Sequence, residues 1–190
     1  MRVIISRPPL LQTLPIPFGP CKPETTALAV DLMSVAYHRL LSVDQQRDHG
    51  VSEPAPLAQA GHVHHDELDA LMHVNNVVYF VWFERLRIAF MEHYGIGKIG
   101  GTDGPRIVIR SGEIHYIEEM VRGEDYIVTT RCVAMRRTSM TLDQVIWSNA
   151  RKRATFRCVM VLLSQTGATR TPIRDEVRAR LIADGAAEES

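Results

Sequence analysis

An unbroken apolar run that follows a short polar stretch constrains the fold of this chain more than any other feature. Every side chain from Val77 to Phe83 is apolar. A helix that is apolar all round must be buried on nearly every side. Polar residues enter the pattern after Phe83, and Gly95 supplies a stop signal. The sequence therefore predicts a tight turn and then a long helix that begins buried and ends at the surface.

The charge and cysteine content exclude several classes of protein. Lys and Arg total 22 and Asp and Glu total 22 in 190 residues, so nothing favours non-specific nucleic-acid or membrane-surface binding. No stretch approaches the roughly 18 apolar residues of a membrane span. Widely spaced Cys21, Cys132 and Cys158 favour a reducing compartment, and we expect a cytoplasmic protein. Arg2 and Arg7 leave organelle targeting as an alternative, although nearby prolines break a targeting helix.

Residues 1–60 differ in character from the rest and form an N-terminal extension. It divides into a Pro-rich arm over residues 1–23, an expected amphipathic helix from Glu24 to about Gln46, and a linker from Asp48 to Ala60. The main domain is expected at 61–181, and residues 182–190 are expected to form a flexible tail.

Beyond a glycine-rich loop the apolar period changes from helical to alternating. Four strand-like runs follow, at Arg106 to Ile117, Asp125 to Met135, Ser139 to Trp147 and Lys152 to Leu163. Short turns join the later runs as antiparallel hairpins, and Gly112 indicates a bulge in the first. A short closing helix is expected from Arg174 to Leu181. The predicted class is α+β, with a long antiparallel sheet wrapped around one buried helix.

The segment from Glu67 to Tyr79, ELDALMHVNNVVY, carries a specific resemblance. It is similar to the D-x-D-x-x-G-H-V-N-N-x-x-Y signature of hot-dog proteins of the 4-hydroxybenzoyl-CoA thioesterase-like and acyl-ACP thioesterase-like groups. Hot-dog proteins also have this order of one strand, one helix and four strands. The resemblance covers about Gly61 to Leu181. It implies a hot-dog thioesterase that acts on an acyl-CoA or acyl-carrier-protein thioester, as a homodimer or a dimer of dimers.

The segment departs from that signature at several positions. Glu67 stands where the first Asp is usual, and Glu118-Glu119 occupies a region where a Pro often sits. Met72 replaces the common Gly, which we interpret as a turn that does not need a positive φ. Leu71 stands where the plant enzymes carry an Asn, so one polar partner of their catalytic machinery is missing.

The chemistry that the resemblance implies centres on the start of the long helix. Thioester hydrolysis needs a nucleophile or an activated water, and donors aimed at the oxyanion. The amides of Asn76 and Val77 are the expected donors. Asp69 is expected to act as nucleophile or general base, and His73 to orient it or to pass a proton to the leaving thiolate. In the structural alternative, Asp69 caps the turn and His73 is a hydrogen-bonded interior residue.

Further candidates for oxyanion or substrate binding follow from the same resemblance. They are Asn75, Asn76, Val77, Tyr79 and Ser139. Asn75 has a second interpretation as the helix cap, and Ser139 as the first residue of a strand. Glu84 is predicted to pair with Arg87 or with a partner subunit. The alternative is that Glu84 acts as a general base.

Two basic clusters and one histidine cluster remain. Arg136, Arg137, Arg151 and Lys152 either hold the phosphates of coenzyme A or lie in solvated turns. His62 and His64 share a strand face, where they form either a zinc site with His73 or a solvated surface. We expect the solvated surface, no metal and no cofactor.

The residues leave a second function open, because fold alone does not fix function. A non-hydrolytic hot-dog protein would bind acyl thioesters or serve as an assembly partner. A hot-dog dehydratase or isomerase is disfavoured, because the helix lacks the motif that those enzymes carry.

Overall fold

A sheet and one long helix make up most of residues 37–97 and 104–189, the part of the chain that this computed structural model describes. In chain order the elements are α1 (Val43–Asp48), β1 (Leu57–His62), α2 (Asn76–His93), β2 (Arg106–Tyr116), β3 (Asp125–Met135), β4 (Ser139–Ser148), β5 (Arg151–Leu163), α3 (Asp175–Ala183) and β6 (Ala187–Glu188). The long strands lie in the order β1-β3-β4-β5-β2, and each neighbouring pair is antiparallel. Short β6 pairs in parallel with β3.

The helix α2 packs one face against this sheet. Trp82, Phe83, Leu86 and Phe90 are almost completely buried and join the core that the strands supply. Burial of such side chains contributes about 1.5–3 kcal/mol each. Tyr94 is the C-cap and Gly95 follows with φ of 67°, so the predicted stop at Gly95 is confirmed. The strands predicted for β2 to β5 are confirmed to within about one residue at each end.

The opposite face of α2 is exposed, which corrects the prediction of a helix buried on nearly every side. Val77 is 60% exposed, and Phe80 and Val81 are 38% and 39% exposed. The physical reason is that a single sheet covers one side of a helix and leaves the other side open. Apolar side chains also lie exposed on β2, at Val108 and Ile109.

Residues 37–56 do not follow the predicted pattern of a helix and a linker. Tyr37 and Leu40 form isolated bridges with β1, and α1 begins only after Ser42, which caps it in a capping box. The start of the predicted helix lies outside the described residues. The predicted linker contains the first four residues of β1, so the sheet begins before the boundary expected at Gly61.

This segment covers the face of the sheet that lies away from α2. Leu41 and Val51 pack with Trp147 and Ile127 in a second small core. Gln46 is completely buried there, and its side-chain amide bonds three backbone groups, the carbonyls of Leu41 and Ala55 and the N–H of Ala55. The extension therefore continues the fold of the main domain from Tyr37 onwards.

A bulge interrupts β2, but it is not centred on Gly112. The register with β5 shifts between Ile109 and Ser111, whereas Gly112 is paired with Cys158. A Cβ at Gly112 would lie 2.6 Å from the ring of Phe156. Glycine at this position is therefore explained by the close approach of an aromatic ring.

The C-terminal residues also carry structure. Residues 182–190, which the sequence indicated as a flexible tail, include the end of α3 and the strand β6. Within the described ranges, no helix combines the length and the apolar character needed to cross a membrane.

Replacing Gln46 with Leu is expected to lower the free energy of unfolding by about 1–3 kcal/mol, because it leaves buried backbone groups of Leu41 and Ala55 unpaired. Chemical denaturation measures this difference. Arg47→Ala on the exposed side of α1 is the matched control, with an expected change within about 0.5 kcal/mol. Equal stability of the two variants would contradict the described packing.

Candidate active site

A cleft of about 270 Å³ opens at the N-terminus of α2. Its walls include Asp69, Asn76, Tyr79, Tyr116, Glu118 and Glu119. Three of these residues were predicted as site residues, and the structure brings them together. Tyr116, Glu118 and Glu119 come from the end of β2 and the loop after it, and the sequence did not identify them as cleft residues.

The loop before α2 is tied to the helix through Glu67. A single 3₁₀ turn spans His65–Glu67. The Glu67 carboxylate accepts hydrogen bonds from Trp82 Nε1 at 2.9 Å and from the His64 N–H at 2.9 Å. Its backbone carbonyl accepts from the Asn75 N–H at 2.9 Å. These contacts hold the loop, and with it Asp69, close to the first turn of α2.

Asp69 is half-buried, closes its own turn and faces the cleft at the same time. Its Oδ1 accepts a hydrogen bond from the Leu71 N–H at 2.8 Å, and its backbone carbonyl accepts from Met72 at 3.0 Å. Among the described residues, no donor contacts its second carboxylate oxygen. The same position of Asp69 therefore allows both roles, the cap of the turn and a carboxylate that acts on a ligand in the cleft.

Met72 has a φ of 66°, which corrects the expectation that this turn avoids positive φ. The turn folds back so that the Asp69 N–H reaches the His73 carbonyl at 2.8 Å, and the chain can return only through a left-handed residue. The Met72 side chain lies exposed and does not resist this conformation. The signature's Gly at this position meets the same requirement without strain.

The first turn of α2 leaves one of the two predicted amides free. Asn75 caps the helix, since its Oδ1 accepts from the Val77 N–H at 3.0 Å. Val78 donates to the Asn75 carbonyl, at 2.9 Å. The Asn76 N–H has no acceptor among the described residues and lies at the positive end of the helix dipole. The amide of Val77 is therefore occupied, and that of Asn76 is available.

The side chain of His73 points to Glu119 rather than to Asp69. The His73 Nε2 lies 3.2 Å from Glu119 Oε2. His73 is not among the residues that line the cleft, whereas Glu119 is. Within the described residues, the contacts between His73 and Asp69 run through the backbone, so His73 does not orient the Asp69 carboxylate directly.

A buried arginine organises the loop on the far side of the cleft. The Arg153 guanidinium bonds Glu118 Oε2 at 3.1 Å and the Glu119 carbonyl at 3.0 Å, and its Nη2 lies 3.2 Å from Glu124 Oε2. Arg151 also bonds Glu118. These two cations compensate part of the negative charge at the cleft. No signal in the sequence distinguishes Arg153 from the solvated turn residues beside it, because its role depends on a loop distant in the chain.

Ser139 and the four predicted basic residues are not among the residues that line this cleft. Ser139 begins β4 and lines a different cleft of about 310 Å³, with Arg110 and Arg136. The basic residues divide between two hairpin ends. Arg136 pairs with Glu189 at 3.2 Å, Lys152 with Glu53 at 2.7 Å, Arg151 with Glu118, and Arg137 is exposed without an ion pair among the described residues.

The predicted pair of Glu84 and Arg87 is not formed. Glu84 is exposed, and it makes no ion pair within the described residues. Arg87 is buried and donates to Gln144 Oε1 at 2.9 Å, and Gln144 donates to the Phe83 carbonyl at 3.0 Å. Burial lowers the pKa of Arg87. The Arg87 guanidinium points towards β4, where its hydrogen-bond partner is the neutral side chain of Gln144.

The histidine cluster of β1 is engaged in a local network. His62 Nδ1 lies 2.6 Å from Asp125 Oδ1, which also accepts from the Tyr37 hydroxyl at 2.6 Å. The rings of His62 and His64 are 5.5 Å apart. In the described part of the chain, no group of three or more His, Cys, Asp or Glu side chains is arranged to hold a metal ion.

Comparison with known proteins agrees with this architecture. The family model described as the thioesterase-like superfamily matches residues 63–181. A thioesterase superfamily structure from Jannaschia sp. CCS1 is 32% identical, with a TM-score of 0.74, over 79% of this chain and 96% of that chain. A search of curated proteins finds no significant match.

Two further structures are similar. One is a thioesterase from Thermus thermophilus, complexed with coenzyme A and Zn, at 26% identity and a TM-score of 0.59, over 67% of this chain and 98% of that chain. The other is a predicted thioesterase from Bacillus stearothermophilus, at 26% identity and a TM-score of 0.60, over 70% of this chain and 98% of that chain.

The chain therefore belongs to the thioesterase-like superfamily, and its sheet and central helix form a hot-dog fold. The fold expected from the resemblance is confirmed.

The left-handed turn at Met72 leads to a stability prediction. A residue with a side chain loses roughly 1–2 kcal/mol in this conformation, and glycine does not. The free energy of unfolding of the Met72→Gly variant is therefore expected to be about 1 kcal/mol higher than that of the Met72→Ala variant. Both variants remove the same exposed side chain, so denaturation curves isolate the backbone effect. A more stable alanine variant would show that the turn does not require a positive φ.

Proposed function

We propose that the protein hydrolyses an acyl-CoA or acyl-carrier-protein thioester to a free acid and a thiol. The observation that carries this proposal is that Asp69 and Asn76 line the same cleft, and that the Asn76 N–H has no acceptor among the described residues. An acid and an oxyanion donor in one cleft are the minimum that acyl transfer to water needs.

The reaction follows from these two groups. As a general base, Asp69 takes a proton from water while the water oxygen forms a bond to the carbonyl carbon. The π electrons of the carbonyl move to its oxygen, which the Asn76 N–H stabilises. The oxyanion then collapses, the C–S bond breaks, and the thiolate leaves with its electron pair and takes the proton from Asp69. As a nucleophile, Asp69 instead adds to the carbonyl carbon, and the C–S bond breaks as the thiolate leaves with its electron pair. The resulting anhydride is hydrolysed by water, which restores the Asp69 carboxylate and releases the acid and the proton that the thiolate takes.

Coenzyme A is the better supported of the two carriers. The similar structure from Thermus thermophilus is complexed with coenzyme A. In this chain Arg137 is exposed at a hairpin end, whereas Arg136, Arg151 and Lys152 are each paired with a carboxylate. Arg137 follows the end of β3, whereas the cleft lies level with the start of that strand, so we propose Arg137 as a contact for the phosphates of coenzyme A bound to a second copy.

Replacing Asp69 with Asn removes the base and keeps an oxygen that can accept from Leu71. Turnover of acyl-CoA substrates, measured as release of free thiol, is expected to fall by about two orders of magnitude or more. Asp66→Asn, an exposed acid in the same loop, is the matched control and is expected to retain activity. Unchanged turnover in Asp69→Asn would remove Asp69 from the mechanism.

The bond between Asp69 Oδ1 and the Leu71 N–H favours one alternative, in which Asp69 serves only to hold the turn. The protein would then bind acyl thioesters without cleaving them. Wild-type protein that binds acyl-CoA in calorimetry and releases no thiol from a panel of chain lengths would support this alternative. Release of thiol by the wild type excludes it.

We also propose that two copies associate through the exposed face of α2 and the free edge of β2. Val77, Phe80 and Val81 present apolar surface on the helix, and the outer backbone edge of β2, which carries exposed Val108 and Ile109, pairs with no strand among the described residues. A second copy would satisfy both features at once, since a two-fold axis places the same surfaces opposite each other. Such a pair can associate further into a dimer of dimers.

Placing a charge at Val81 tests this association. Val81→Glu is expected to shift the protein towards the monomer in sedimentation velocity, because the interface would bury an unpaired carboxylate. Ile182→Glu on α3 introduces the same charge at another exposed apolar position, and the oligomeric state should not change. Identical sedimentation of the two variants would place the interface elsewhere.

A further inference from the structure

The Tyr79 side chain is buried in the wall of the cleft without a hydrogen bond. Tyr79 is 3% exposed and lines the same space as Asp69 and Asn76. Its hydroxyl has no hydrogen-bond partner among the described residues, whereas the hydroxyls of Tyr94 and Tyr116 each donate to an oxygen. The hydroxyl is not among the buried side-chain atoms that lack a partner in the described part of the chain, so it reaches solvent through the cleft. It is therefore a donor that a ligand in the cleft can contact.

Tyr79 lies one turn after the free amide on α2. Tyr79 is three residues after Asn76, so both lie on the same side of the first helical turn. Helical side chains lean towards the N-terminus and cover the preceding turn. Tyr79 and Asn76 line the same cleft, and Tyr116 contacts both residues, because its ring packs against Tyr79 and its hydroxyl donates to the Asn76 carbonyl.

Neighbouring aromatic rings fix the Tyr79 ring in this place. The Tyr116 ring packs edge-on against it, with centroids 5.2 Å apart and an interplanar angle of 84°. Tyr116 itself is held by a hydrogen bond from its hydroxyl to the Asn76 carbonyl at 3.1 Å. On the other side, Trp82 lies 5.4 Å away, and it is anchored through Glu67. The hydroxyl is thus positioned before any ligand arrives, which is the condition for effective electrostatic stabilisation.

The protonation state of Tyr79 also fits a donor. Burial raises its pKa to about 12, and Glu124 and Glu119 act in the same direction, while Arg153 opposes them. The hydroxyl therefore keeps its proton at neutral pH and donates a hydrogen bond without transferring that proton.

We propose that Tyr79 is a catalytic residue whose hydroxyl donates a hydrogen bond to the thioester carbonyl oxygen, as a second donor beside the Asn76 amide. The inference rests on the proposed hydrolysis and gives Tyr79, a candidate from the sequence, a defined role in it. When the C–O bond forms and the π pair moves to the carbonyl oxygen, the hydrogen bond shortens and the phenolic proton stays on Tyr79. When the C–S bond breaks, the charge leaves that oxygen and the bond weakens again.

The first test compares two tyrosine-to-phenylalanine variants of the full-length protein in hydrolysis of acyl-CoA. Tyr79→Phe is expected to lower kcat by about a hundredfold, the low end of the loss seen for one oxyanion donor, with KM changed less than about threefold. Tyr126→Phe is the control, because Tyr126 is also buried and stacks on Trp82 but does not line the cleft. Its kcat should stay within about twofold of wild type. A similar loss in both variants, together with lower melting temperatures, would assign Tyr79 a structural role.

The second test does not depend on turnover. An acyl-CoA analogue with a methylene group in place of sulfur carries a ketone, and a ¹³C label reports its carbonyl stretch in infrared difference spectra. The stretch is expected at a lower wavenumber in the wild type than in water, and to rise again in Tyr79→Phe. Tyr126→Phe should leave it unchanged.

The two tests separate this inference from the hydrolysis itself. If the carbonyl stretch depends on Tyr79 but the protein cleaves no thioester, the hydrogen bond from Tyr79 is supported and the proposed hydrolysis is rejected. Wild-type turnover in Tyr79→Phe, with loss in Asp69→Asn, keeps the hydrolysis and overturns the role of Tyr79. An analogue that fails to bind, or a carbonyl that does not respond to Tyr79→Phe, overturns it as well.

Discussion

The packing of one face of α2 against the sheet is the constraint on which the rest of the structure depends. Trp82 and Phe83 anchor the helix in the core, and this fixes where its first turn begins. Asp69 and the free amide of Asn76 are then positioned relative to that turn, through the cap of Asn75 and the bonds of Glu67. The hydrophobic effect is not directional, yet here it places directional groups, because the helix carries its unpaired amides at a fixed end.

The elements with a strong apolar period were predictable, and those that satisfy hydrogen bonds across the fold were not. Alternation located β2 to β5, and Gly95 ended α2 as expected. In the described part of the extension, Tyr37 and Leu40 bridge to β1 where a helix was predicted. Leu40 and Val43, which belong to the helical apolar spacing, are exposed, whereas Leu41 packs beside Trp147. Apolar spacing alone did not identify which side chain the outer face of the sheet buries.

The candidate site shows the same division. The motif placed Asp69 and the start of α2 together, and the cleft contains both. It could not show that Asn75 occupies the Val77 amide, because a cap and a ligand compete for the same donors. The arrangement of Arg153 with Glu118 and Glu124 lay beyond sequence reasoning, since it joins β5 to a loop distant along the chain.

The two margins of the sheet are unequal. Along β1, the chain lays Tyr37 and Leu40 beside the outermost strand and occupies part of its backbone, whereas β2 at the other margin keeps its outer side free among the described residues. A sheet that is open on both sides can add copies without end, as fibres do, while a sheet blunted on one side can add one copy and then stops. Among the described residues, the segment before β1 thus shields part of one margin from edge-to-edge pairing and leaves β2 as the margin at which another strand can add.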